Sequence, residues 1–340
     1  MVRRVLVFVA MCAAAAGGAL GIAAGCQGAP AAAPTDASVT TILLPGATPA
    51  DLRFSPLLSS VLVPGGASGK VFLIDDRTLA VTSVGGFASP TSVDEASGNL
   101  LVADLAALQI VVASPSDGHV LASAALHGPP ALVRSFVLTS EVWVTEPSVQ
   151  RIEVFGVAPT TPPTIALRAT IATPSQSLVA DATRARAYTN VGGAMTASLD
   201  AFLHTTVESW PSGCAGAAAS ANGLALDEQG GILVVACDDG TITLLDVSNH
   251  GATLGTFADN AGVVAIDYNA LLGHLYVAFG QGGVDIAERS FDGGLAPVDR
   301  LPSGAQPACV VADRGGNAFV CDPAGGKVVA IPDLHGGVDF

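Results

Sequence analysis

The chain has 340 residues, half of them apolar and only 13% charged, with 39 glycines and 21 prolines spread along its length. Glycine and proline at that density interrupt helices, so a bundle of long helices is excluded and many short strands joined by turns are favoured. A formal charge of −15 argues against nucleic acid as a partner, because phosphate backbones are tracked by basic stripes.

The N-terminus reads as an export signal. Arg3 and Arg4 precede an unbroken apolar and small-residue stretch from Val5 to Ala24, followed by Ala23-Ala24-Gly25-Cys26. Small residues ahead of a cysteine resemble the lipobox of bacterial lipoproteins, which implies cleavage before Cys26 and lipidation of its thiol. Ala23 stands where that pattern usually has leucine. An ordinary cleaved leader and an uncleaved membrane anchor are the alternatives for the same stretch. Gln27, where an aspartate would signal inner-membrane retention, points to the outer membrane, with the protein facing the periplasm or the exterior. Residues 1–25 are thus expected to be a signal peptide, 26–37 a lipid-anchored Ala/Pro-rich tether, and 38–340 the folded domain. Without residues 1–25 the chain carries 12 basic and 29 acidic side chains, a charge of −17, which an anionic membrane surface would repel.

The folded part repeats. Short strand-like runs recur as Val61-Leu62-Val63, Leu101-Val102-Ala103, Trp143-Val144-Thr145, Tyr188-Thr189-Asn190, Val234-Val235-Ala236, Tyr276-Val277-Ala278 and Phe319-Val320-Cys321. Measured from Val63, Val102, Val144, Thr189, Val235, Val277 and Val320, the spacings are 39, 42, 45, 46, 42 and 43 residues. An apolar strand and a turn precede each run. Asp94, Asp181, Asp227, Asp267 and Asp313 mark that turn, where aspartate bonds its own backbone. A Gly- or Asp-containing turn follows, as in Asp238-Asp239-Gly240, and then two more strands, as in Lys70 to Asp75 and Leu79 to Val84. Four antiparallel strands per forty-odd residues is the arithmetic of a β-propeller blade.

With these residues in view, the units resemble the YVTN-type β-propeller repeat. Ala187-Tyr188-Thr189-Asn190 stands nearest its namesake strand, and Lys70 to Val84 looks like its third and fourth strands. The resemblance spans about residues 38–335. It implies a fold and no particular activity. Six complete units run from Thr48 to Gly304, and a seventh near Gln306 lacks its fourth strand. Val39 to Leu44 is an orphan strand ahead of the first unit. The expected architecture is therefore all-β: a seven-bladed β-propeller of four-stranded antiparallel blades, the last closed by the N-terminal strand. The long Pro-rich loop from Ala158 to Leu167 makes the third unit irregular and leaves six or eight blades open.

Candidate chemistry is sparse. Cys309 and Cys321 flank a hairpin symmetrically about Gly315, and Cys214 precedes a hairpin ending at Cys237. Two disulfides suit an oxidising compartment, each contributing about 3 kcal/mol, with free buried thiols as the alternative. No C-x-x-C spacing points to a metal. The six histidines are scattered, as surface or turn residues would be, and no H-E-x-x-H, P-loop or G-x-S-x-G pattern occurs. Propeller lactonases hold an axial calcium with carboxylates from several blades, and the acidic residues suit that ion. The recurrence of the aspartates at one turn position favours a turn-forming role instead. No catalytic residue, no metal ligand and no cofactor are therefore assigned. The expected protein is a monomeric, non-enzymatic envelope lipoprotein that binds a protein or small ligand. A lactonase-like metal-dependent hydrolase is the alternative.

Overall fold

The computed structural model describes residues 39–335 apart from 176, 193, 215–218, 291–293, 302 and 304–305. The signal segment, Cys26 and the tether lie outside the described residues. Seven four-stranded antiparallel blades stand in a ring: 53–85, 90–125, 133–171, 179–211, 219–258, 263–301 and 309–332, the last completed by Thr40–Leu43. The first strands of consecutive blades are neighbours around the axis, and that of blade 7 meets that of blade 1. Blades 5 and 6 are also joined by one parallel backbone bridge between Asn222 and Ala265.

Closure occurs as the repeat count implies. Thr40–Leu43 pairs antiparallel with Lys327–Pro332, setting Thr40 opposite Ala330 and Leu43 opposite Lys327. It supplies the fourth strand that blade 7 lacks. The irregular third unit is nonetheless a full blade. Its fourth strand starts at Thr164 rather than beyond Leu167, and its bulge at Val154/Phe155 matches those between the third and fourth strands of blades 2, 4, 5 and 6.

The apolar core lies in the seven seams between blades. Leu62, Val71 and Leu73 of blade 1 meet Val93, Val102 and Val111 of blade 2. On the other face of blade 1, Val61, Val63 and Phe72 meet Val311, Phe319 and Val328 of blade 7. A second strand therefore buries both faces, as in Ser60–Pro64, Ile232–Cys237 and His274–Phe279, and reads as a continuous apolar run. Outer strands such as Val81–Gly85 and Val120–Ala125 face water along most of their length.

Strands alternate in direction, so the ring has two faces. The turns joining first to second and third to fourth strands form the lower face. The second-to-third turns and the connections between blades form the upper face. Gly240 shows what an upper turn requires: its φ is 90°, and a Cβ there would lie 2.6 Å from the Asp259 carbonyl oxygen.

Ile42 and its neighbour test the closure. Ile42 is buried in the seam between blades 7 and 1, whereas Leu43 points outward. Ile42→Ala is expected to lose about 2–4 kcal/mol in urea unfolding, and Leu43→Ala less than about 0.5 kcal/mol.

Candidate functional site

Pairing the first strand of each blade with the second identifies one equivalent position around the axis. Opposite Leu62, Leu101, Trp143, Tyr188, Val234, Tyr276 and Phe319 stand Arg53, Asp94, Arg134, Val179, Ala225, Asp267 and Val311. Four of these seven residues are charged, two of each sign. Sequence reasoning missed the two arginines. Arg53, Arg134 and Asp267 each lie ten residues before their reference point. Asp94 lies eight before, because its turn is two residues shorter.

This position also corrects the reading of the aspartates. Asp181, Asp227 and Asp313 do form turns: they accept the backbone N–H of Arg184 (2.9 Å), Gly230 (2.8 Å) and Gly315 (2.7 Å). In blade 6 the turn former is Asn269, whose Oδ1 accepts the N–H of Leu271 and Leu272. Asp94 and Asp267 sit two residues further back along their strands and reach the next blade. Asp94 accepts the N–H (2.7 Å) and hydroxyl (3.1 Å) of Ser135, while Asp267 accepts the N–H of Ala312 (2.8 Å).

The strongest link at the axis spans three blades. Arg134 of blade 3 donates to both oxygens of Asp51 at 2.9 and 3.0 Å. Ser92 of blade 2 donates to Asp51 Oδ2 at 2.5 Å and accepts the N–H of Val133 at 2.9 Å. The Arg134 and Asp51 side chains are only 11% and 5% exposed. Burial alone would favour loss of the Arg134 proton. Asp51, and then Asp94 and Asp267, outweigh it and hold the guanidinium above its ordinary range. Asp267 goes the other way. It keeps some surface open to the channel, but the surrounding protein excludes bulk solvent and raises its pKa. The Ala312 amide, Arg53 and Arg134 offset only part of that rise.

The channel enclosed by this ring is about 50 Å³, lined by Arg53, Arg134, Asp267, Leu132, Leu178 and Val311 among others. That is room for roughly three or four waters, whereas organic ligands usually occupy pockets of about 300 Å³ or more. A calcium shell does not fit these acids, because amides, hydroxyls or arginines already engage Asp51, Asp94 and Asp267. Among the described residues no group of three or more His, Cys, Asp or Glu is placed to hold a metal ion.

The cysteines are paired as two disulfides, Cys214 with Cys237 and Cys309 with Cys321. Cys309 and Cys321 are directly opposite on adjacent strands, with Cα atoms 5.3 Å apart. The histidines are less idle than scattered surface residues. His204 of blade 4 reaches Glu141 of blade 3 at 3.1 Å, His250 of blade 5 reaches Glu208 of blade 4 at 2.8 Å, and His335 reaches Asp299 of blade 6 at 3.1 Å. His274 contradicts the surface expectation outright. It is fully buried, with Nδ1 2.6 Å from Asp333 Oδ2, the atom to which Tyr276 also donates.

The upper face carries a groove of about 600 Å³ between blades 5 and 6, lined by Asn260, Phe279, Gln281, Gly283, Arg300 and Leu301. The Arg300 guanidinium lies 4.9 Å from the centre of the Phe279 ring, and its Nε is 2.6 Å from Asp285. Burial, reinforced by neighbouring Asp259, pushes the Asp285 carboxyl up to about 6.

Comparisons with known proteins agree with the fold. The chain is similar to the β-propeller domain of Cps50 (Swd1) from Myceliophteria thermophila, at 14% identity and TM-score 0.70, covering 87% of this chain and 98% of that one. It is similar to a chain of the mitotic checkpoint complex, at 13% identity and TM-score 0.73, covering 92% and 98%. A chain of Kuenenia stuttgartiensis hydrazine synthase matches at 15% identity and TM-score 0.71, covering 91% and 99%. At these identities the likeness is one of fold. No protein-family model and no curated protein matches the sequence.

The buried pair and the groove acids give two stability tests. Arg134→Met strands Asp51 and is expected to lose about 3–5 kcal/mol in urea unfolding, most of it regained when Asp51→Leu is added. The raised pKa of Asp285 means that folding loses stability as pH climbs from the ordinary carboxylate range through about 6. Asp259→Asn should therefore stabilise the protein by roughly 1 kcal/mol at pH 7.5 and much less at pH 4.5, read as a pH-dependent shift in Tm.

Proposed function

We propose that this chain is a non-enzymatic, lipid-anchored envelope protein whose propeller holds a protein partner on its upper face. The observation that carries this reading is the state of the axis. The axial charges tie blade to blade, as in Asp51–Arg134–Ser92, and the channel they leave has room for only a few waters. Recognition then falls to the rim and faces of a rigid disk.

On the upper face, the groove between blades 5 and 6 presents the half-exposed Arg300 guanidinium, which lies over the buried Phe279 ring. Arginine is among the side chains that dominate the energetics of protein interfaces. The Ala23-Ala24-Gly25-Cys26 segment supports export and lipidation, and paired cysteines suit an oxidising compartment.

The protein extracted from its own membranes should show, by mass spectrometry, loss of residues 1–25, added acyl mass and four missing hydrogens. A photo-crosslinking residue at Gln281 should trap one dominant protein. Arg300→Ala should weaken that partner's affinity by tenfold or more, about 1.4 kcal/mol. Crosslinks that ignore this substitution would overturn the assignment of the upper face. Calcium-dependent lactone hydrolysis by the purified protein would replace the scaffold reading with the hydrolase.

A further inference from the structure

We infer that the lower face of the propeller lies against a zwitterionic lipid surface, leaving the upper face turned away from the membrane. The inference rests on the lipid-anchored reading above and adds an orientation to it.

Exposed apolar side chains are not spread evenly. Among the described residues, eight large hydrophobic side chains are at least half exposed, from Leu138 and Leu334 at 50% to Val137 at 79%. Seven of the eight lie in lower-face segments. Leu57 is in the first turn of blade 1, and Val137 and Leu138 are in that of blade 3. Phe202 and Leu203 are in the third-to-fourth turn of blade 4, Leu271 is in the first turn of blade 6, and Leu334 follows the third strand of blade 7. Only Leu43 lies elsewhere, on an outer strand. Turns are normally polar, and Phe202-Leu203 exposed together at a turn tip is unfavourable in water. Apolar tips on four adjoining or facing blades and at the end of a fifth suit a broad, flat occupant.

Two further observations indicate lipid. The first is where the chain joins the ring. Leu43 pairs with Lys327 beside an upper turn, and Thr40 pairs with Ala330 further down, so the strand begins toward the lower face. Thirteen residues, Gln27 to Val39, separate Cys26 from that strand. A random-coil chain of thirteen residues has a root-mean-square reach of about 20 Å. An acyl group on Cys26 therefore keeps the lower face at high effective concentration near the bilayer.

The second observation is charge. Arg77 and Arg314, both in lower-face turns, have no carboxylate within ion-pairing distance among the described residues; Lys70, beside an upper turn, is the third such cation, and the other nine described Arg and Lys residues are paired. Arg77 and Arg314 are available to lipid phosphate. The net negative charge of the disk disfavours anionic lipid, so apolar insertion and local phosphate contacts must supply the binding. Apolar turn tips seated in the interface add to the hold of the lipid anchor and fix the orientation of the ring.

The test uses the full protein purified from its membranes and reconstituted into phosphatidylcholine vesicles with brominated acyl chains. Phe202→Trp is expected to be quenched about twofold relative to plain vesicles, as a residue at the headgroup–acyl boundary would be. Leu105→Trp, in an upper-face turn, should be unaffected. Trp143 and Trp210 are buried and provide a constant background. Acyl mass is measured on the same sample. Acylated protein with no quenching at position 202 overturns the orientation and leaves the anchor standing. Quenching without acyl mass upholds the lipid-facing surface and overturns the anchor. Absence of both overturns both. A position-202 tryptophan shielded from aqueous quencher but untouched by bromine means that a protein covers the face, which also overturns the lipid assignment.

Discussion

A ring of sheets has no core until it is closed. Each blade is a thin twisted sheet with two apolar faces, and only its neighbours can bury them. Ile42 and Leu44 complete the seam between the last and first blades, and Thr40–Leu43 covers the edge that blade 7 would otherwise present. The N-terminal segment therefore joins in sequence-distant contact with residues near 330. The other six seams are each buried between consecutive blades, and only this one brings the two ends of the ring together. The Cys309–Cys321 disulfide sits in the same blade and ties its first strand to its second, reinforcing the closing seam from the axis side.

Polar contacts follow the same logic of seams. Histidine–carboxylate pairs join blades 3 and 4, 4 and 5, and 6 and 7 away from the axis. At the axis, Asp94 and Asp267 each hold an amide of the next blade. Asp51 and Arg134 clasp across blade 2 through Ser92. A buried bidentate pair of this kind adds little net stability compared with apolar packing, but breaking it is costly, so it fixes how the blades are arranged. Charge used this way leaves a stiff disk whose chemistry lies on its two faces.

Those faces differ in character. The upper one has a groove with an exposed guanidinium, and the Asp259 and Asp285 carboxyls lie close to each other nearby. The lower one has apolar turn tips and two arginines without ion pairs among the described residues. The difference arises from turns that the repeat leaves unconstrained. Strand residues are dictated by packing on both sides, whereas a turn tip touches nothing inside the ring and can vary freely.

The repeat spacing pointed to the blades and the closing strand, because each blade is built from local hairpins and its period survives in the linear chain; the number stayed open at six to eight until the irregular third unit was seen to be a full blade. The pairing of Cys309 with Cys321 was favoured for the same reason, since two residues equidistant from one turn face each other across a hairpin, although free thiols stayed open as the alternative. The axial network was not legible. Asp51 and Arg134 are 83 residues apart, and Asp94 looked like its turn-forming counterparts until strand pairing placed it two residues deeper. Burial of His274 beside Asp333 likewise depends on a neighbouring blade. Sequence periodicity determines what lies within a blade. Which blade meets which, and which side chains then face each other across a seam or share a face, is settled only when the ring closes.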